Sequence, residues 1–297
     1  MTYRPDFDGI WAKIDRAKEH RDTLKSEVGT IDGAGAVVPP SNRIGLSLEF
    51  DHQSGYHVFR AKAVLPEERL RRWGLLMGDV VHNLRGALDH LVWQLARFHC
   101  RGDEPRNAEK VQFPLRDKLP PPGTPPEDFG SMNAPGRPGP LHDVAPEHRA
   151  IIEGYQPYNG GHTYGGFTAY PFYWLREFSN RDKYRVIILA APFPYRSFID
   201  EVEVFGPTSR TIKFHDVGFG KPLEPGAEIL RVKVLPSTIQ RDMDVAGYLT
   251  PAIYFPYSGA PSTPSQQAGR SLVPVINGVD LMSALVVKVV REFEPLF

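Results

Sequence analysis

Cysteine is nearly absent from this chain: Cys100 stands alone in 297 residues. An internal disulfide and a cysteine-rich metal site are therefore excluded, and Cys100 reads as a small half-buried apolar group rather than a nucleophile. Net charge is missing as well, since 35 basic side chains face 35 acidic ones. The broad basic footprint of a nucleic-acid binder is not there, although a local basic groove stays open. No apolar run approaches the ~20 residues of a membrane helix. The start, Met1-Thr2-Tyr3-Arg4-Pro5-Asp6, has no apolar core of a secretory signal. These absences lead to the expectation of a cytoplasmic protein with no membrane partner.

What is present divides into a helical front, a proline-rich middle, a strand-rich back and a closing helix. Phe7, Ile10, Trp11, Ile14, Ala17, Leu24 and Val28 recur at helical spacing. Ile44 to Phe50 alternates, turns at Asp51-His52-Gln53-Ser54-Gly55 and returns through Tyr56 to Arg60, which predicts a hairpin within 43–63. Pro66, Glu67 and Glu68 open a second helix, with proline in the first turn and acids at its positive end. It should run to about Cys100, roughly 50 Å at 1.5 Å per residue. The prolines of 114–146 interrupt any helix or central strand. Short helices are expected around 146–155 and 172–179. Strands are expected at 186–190, 198–204, 211–214, 229–234 and 252–257 within a strand-rich part 184–276, with a closing helix over 279–295 packing back on the bundle.

Chemistry concentrates in the second helix, in Gly78-Asp79-Val80-Val81-His82-Asn83-Leu84-Arg85-Gly86-Ala87-Leu88-Asp89-His90-Leu91-Val92-Trp93. On a wheel of about 100° per residue, Leu84 centres an apolar stripe. Asp79, Asn83, Gly86 and His90 fall on the far side beside Trp93, while His82, Arg85 and Asp89 lie on the flank. Solvated helix faces are usually Lys and Glu, so acid, amide, guanidinium and imidazole groups together suggest a site. The plain alternative is a polar face satisfied by a second layer of the fold.

The string GDVVHNLRGALDHLVWQLA, followed by Gln156-Pro157-Tyr158 and by Asn180-Arg181-Asp182-Lys183-Tyr184, resembles a family of uncharacterised bacterial and phage proteins. In that family a GDxxHNLRxALDHLxxxL helix is paired with a downstream NxDKHR segment. Tyr184 stands where the pattern has His. The resemblance spans most of the chain and implies that Asn180, Asp182 and Lys183 meet the central helix. Arg85 to His90 also resembles the Arg-x4-His element of HEPN-type helical domains, many of them metal-independent ribonucleases. That resemblance implies a homodimer acting on RNA, with Arg85 gripping phosphate, His90 as general acid and base, and Asn83 and Asp89 (or Asp79) completing the site. The same spacing recurs at Arg137 to His142 and Arg210 to His215, so only the helical setting distinguishes Arg85. Gly86 follows the arginine where a polar residue is common.

Other readings are weaker. His82, Asp79, Asn83, Asp89 and His90 carry metal-binding atoms, but no HxxxH or ExxH pair is present, and neither metal nor other cofactor is expected. Gly160 to Gly166 and Gly218 to Pro222 lack the Lys-Ser/Thr ending of a phosphate loop. The aromatics from Tyr164 to Trp174 read as core. The expected fold is a single α+β domain over 1–297, about four main helices with a hairpin and a mostly antiparallel sheet from the C-terminal half. The leading functional expectation is a HEPN-like ribonuclease acting in phage–host conflict. The second, from another class, is a non-catalytic binding or assembly protein whose polar helix face is a buried network or dimer seam. A ribonuclease needs Arg85 and His90 open in a cleft; a network needs them buried and hydrogen-bonded.

Overall fold

The structure, a computed structural model, describes residues 3–32, 35–37, 44–61, 65–106, 108–116, 139–159, 171–184, 191–194, 211–216, 225–235, 248–249, 251–254 and 275–297. Two compact units are present, one of residues 1–23, 75–188 and 277–297, the other of residues 24–74 and 189–276.

Five helices follow one another: α1 Asp8–Val28, α2 Glu67–His99, α3 Pro146–Gly154, α4 Pro171–Tyr184 and α5 Val275–Phe293. Their ends follow local chemistry. The Asp6 carboxylate accepts the Asp8 N–H at 2.9 Å and caps α1, and Gly29, with φ of 93°, ends it. Pro66 offers its carbonyl to Arg69 and Leu70 at the start of α2. At the other end Arg101 and Gly102 turn left-handed, and the Gly102 N–H reaches back to the Arg97 carbonyl at 2.8 Å.

The first unit is helical. Ile10, Ile14 and Ala17 of α1 are buried, as are Val80, Val81, Leu84, Leu88, Leu91 and Leu95 of α2, as the three-four spacing requires. Phe172 and Leu175 of α4 and Val279, Met282, Val286 and Phe293 of α5 are buried in this unit too. Phe113 enters from the segment after α2, its ring 5.8 Å from that of Phe172 and steeply inclined to it. An Arg21–Asp280 contact of 3.4 Å and a Trp11–Glu294 hydrogen bond of 3.3 Å link α1 to the last helix and the turn after it, so the closing helix belongs to this bundle.

The second unit carries the strands: β1 Thr30–Asp32, β2 Gly35–Val37, β3 Ile44–Asp51, β4 Tyr56–Ala61, β5 Ala191–Pro194, β6 Thr211–Asp216, β7 Glu228–Leu235, β8 Tyr248–Leu249 and β9 Pro251–Tyr254. Backbone ladders run β6-β7-β4-β3-β8, with β1-β2 and β5-β9 as separate pairs, all antiparallel. The β3–β4 turn is the expected hairpin, held by Asp51 Oδ1 accepting the Gln53 N–H at 3.0 Å and by Gly55 at φ 69°. Trp73 is buried near the start of α2, and Arg72 grips Glu27 at 2.7 Å.

The α+β expectation is corrected here. The fold is mostly helical: of the residues whose side chains are described, 68% are helical and 5% lie in strands, and the five helices include the short one expected at 146–155. One helix alone, α2, takes 33 residues, more than any of the alternating runs. Nor does the C-terminal half supply the ladders alone, since β3 and β4 lie inside the longest one. The expected strands at 186–190 and 198–204, both glycine-rich stretches and most of the proline-rich loop lie outside the described residues. Among those described, no helix is long and apolar enough to cross a membrane.

Gly154 closes α3 with nothing within 4 Å of the position a Cβ would take, and its φ is not left-handed. Gly154→Ala is therefore expected to stabilise the protein by about 0.5–1 kcal/mol through lower entropy of the unfolded chain. Urea titration checks this; a loss of stability would contradict it.

Candidate functional site

The polar face of α2 splits into two clusters, and each grips an irregular segment. Arg85 and Asp89 form the first. They are one turn apart, 3.1 Å from guanidinium to carboxylate, and the Arg85 side chain is only 12% exposed. Arg85 Nη2 donates to the Phe113 carbonyl. Asp89 Oδ1 accepts the Phe113 N–H at 2.9 Å. Both main-chain groups of one residue are thus held by an ion pair. Burial pushes the Arg85 guanidinium below its ordinary pKa, and Asp89 opposes that shift.

The second cluster centres on Gln94, buried at 5% exposure. Its Oε1 accepts the Tyr3 hydroxyl and, at 3.0 Å, the Asp6 N–H. That leaves its amide nitrogen facing His90 Nε2 at 3.1 Å. An amide nitrogen only donates, so His90 Nε2 must accept, and the ring proton sits on Nδ1. Nδ1 is buried and makes no hydrogen bond of good geometry among the described residues, its only nearby hydrogen-bonding influence being the Gly9 backbone. The ring lies against the Gly9 backbone, so close that a Cβ there would stand 2.5 Å from His90 Cε1. Arg97 completes the cluster 4.7 Å above the Tyr3 ring. Burial lowers the His90 pKa, and Lys13 lowers it further, against weaker opposing effects of Asp6 and the Gly9 backbone.

Two more buried groups do similar work. Asp143 accepts the Arg106 N–H at 2.8 Å, and Gln156 accepts the Arg116 N–H at 3.0 Å while donating to the Ile152 carbonyl. The cause lies in the segment from Asp103 to Arg116. Pro105 and Pro114 interrupt it, so its peptide groups have few regular partners, and buried peptides require one.

The remaining candidates do not join. Asp79 is exposed, 3.8 Å from His20, and His82 is exposed on the helix surface. Asn83 donates to the Asp79 carbonyl at 2.8 Å, within its own helix. Asn180 is exposed on α4, while the side chains of Asp182 and Lys183 lie outside the described residues. Gly86 faces Lys13, whose Nζ would lie 3.4 Å from an added Cβ. Among the described residues no group of three or more His, Cys, Asp or Glu could hold a metal ion.

No protein-family model, curated protein or solved structure matches this chain. The geometry must speak for itself. A phosphate-cleaving pair requires its guanidinium and imidazole to converge on one ligand. Five residues apart on a helix, Arg85 and His90 point about 140° away from each other. One is turned to Phe113 and the other to Gly9.

Gln94, Asp143 and Gln156 were not singled out as site residues from the sequence. Gln94 carried a usable signal: it is the one amide in the run Leu91-Val92-Trp93-Gln94-Leu95-Ala96. A polar group inside an apolar arc usually has a dedicated partner.

Proposed function

We propose that this is a non-catalytic binding or assembly protein in which the polar face of α2 is an internal brace. The closed Arg85–Asp89–Phe113 arrangement carries this reading. Both contacts fall on Nη2 of a side chain only 12% exposed, so burial rather than a lack of donors keeps this guanidinium from an incoming phosphate. A neutral His90 whose Nε2 is occupied by Gln94 is likewise a poor general acid. The HEPN-like ribonuclease is the competing reading, and it needs both side chains to leave these partners.

The test is cleavage of a mixed fluorescent RNA pool in EDTA by wild type, Arg85→Ala and His90→Ala. The brace reading expects no cleavage by any of the three, together with a lower melting temperature for Arg85→Ala. Cleavage by wild type that both folded variants lose would replace the brace with a metal-independent nuclease.

A further inference from the structure

We infer that residues 3–9 form a strap that leaves α2 when His90 takes up a proton. Gln94 is a two-ended connector: its oxygen receives the Tyr3 hydroxyl and the Asp6 N–H, and its nitrogen donates to His90 Nε2. A protonated imidazole has a donor at both nitrogens. Nε2–H would then face the Gln94 NH2, donor against donor, at a separation of 3.1 Å.

Rotating the Gln94 amide does not remove the conflict. The oxygen would then meet the charged ring, but the NH2 would meet the Asp6 N–H. The Tyr3 hydroxyl tolerates either orientation because it both donates and accepts; a backbone N–H does not. Protonation at His90 therefore passes through Gln94 to a peptide group of the strap. The ring cannot move aside easily, because Gly9 lies directly against it. The Asp6 carboxylate also caps the Asp8 N–H, so a strap that leaves takes the first turn of α1 with it.

The charged groups around His90 set the direction. Lys13 of α1 opposes protonation and Asp6 of the strap favours it, with burial the largest influence and directed against the charged ring. A depressed histidine pKa means that the docked state binds fewer protons than the released one. Docking is thus strongest above the ordinary histidine value of about 6.5, and weakens as pH falls below it by up to about tenfold per pH unit until the docked ring itself titrates. This inference does not depend on the brace formed by Arg85.

Hydrogen exchange at the Asp6 amide, expressed relative to its intrinsic rate, tests the strap between about pH 7.5 and about pH 5.5. Wild type should lose about tenfold in protection over that range. His90→Gln cannot titrate and should show protection independent of pH. Gln94→Glu is the sharper variant. Its two oxygens accept from the strap and from a charged imidazole together, so protection should hold or rise as pH falls. Should His90→Gln not fold, the contrast between wild type and Gln94→Glu decides alone. Unchanged protection in wild type, or an equal loss in Gln94→Glu, overturns the inference.

Discussion

Arg85→Ala should lose about 2–3 kcal/mol of folding stability, the range for charged hydrogen bonds lost around a buried arginine whose partner Asp89 is 32% exposed. The melting temperature of the helical unit should fall by on the order of 10 °C. Removing the guanidinium leaves the Asp89 carboxylate without its counter-charge and the Phe113 carbonyl without its donor. An ion pair with no other partners can often be exchanged for apolar residues at little cost. This one cannot, because its outer atoms satisfy a peptide group that would be orphaned by the exchange. Arg85→Met/Asp89→Leu should therefore remain destabilised, and Arg85→Lys should fall between wild type and Arg85→Ala, since an ammonium lacks the planar fork. Circular-dichroism melts of the four proteins decide the matter. An Arg85→Ala protein within about 1 kcal/mol of wild type would mean that Phe113 is held by its ring alone.

Gly9→Ala sets two effects of opposite sign against each other. Alanine in a helix gains about 1 kcal/mol over glycine, yet the new methyl would sit 2.5 Å from His90 Cε1. A collision that short forces a displacement, and His90 is held by Gln94 at Nε2 while Gly9 stands close to its Cε1. The overlap should win, with a net loss of about 1–3 kcal/mol. Adding His90→Ala to Gly9→Ala removes the obstacle, so the double variant should be more stable than the sum of the single changes predicts. Additive effects would show that the ring yields freely.

Much of the helical architecture was legible because packing imposes its period on the sequence. Leu84, Leu88, Leu91 and Leu95 are buried where the wheel places them, and Pro66, Glu67 and Glu68 mark the start of α2 where capping chemistry predicts it. The balance between helix and strand was not legible. An alternating run such as Thr211 to Phe214 reports which faces differ, not how much of the fold the strand makes up. The polar face was seen but its role was not. The wheel puts Arg85 and Asp89 on a flank, and a flank looks the same whether it meets water or a returning segment. That segment, Asp103 to Arg116, carries no periodicity to announce itself; its partners are peptide groups, which every sequence contains. Gln94 was passed over because a single amide is weak against its five apolar neighbours in the run 91–96.

The staples on the Asp103–Arg116 segment act on main chain rather than on side chains. At Arg106 and Arg116 the contact is an N–H that nineteen of the twenty amino acids supply. Each of these two backbone bonds thus survives any substitution except proline. The course of the segment is encoded by side chains outside it, two on α2 and two in the turns that flank α3, so mutations that break these backbone bonds should map to residues 85, 89, 143 and 156.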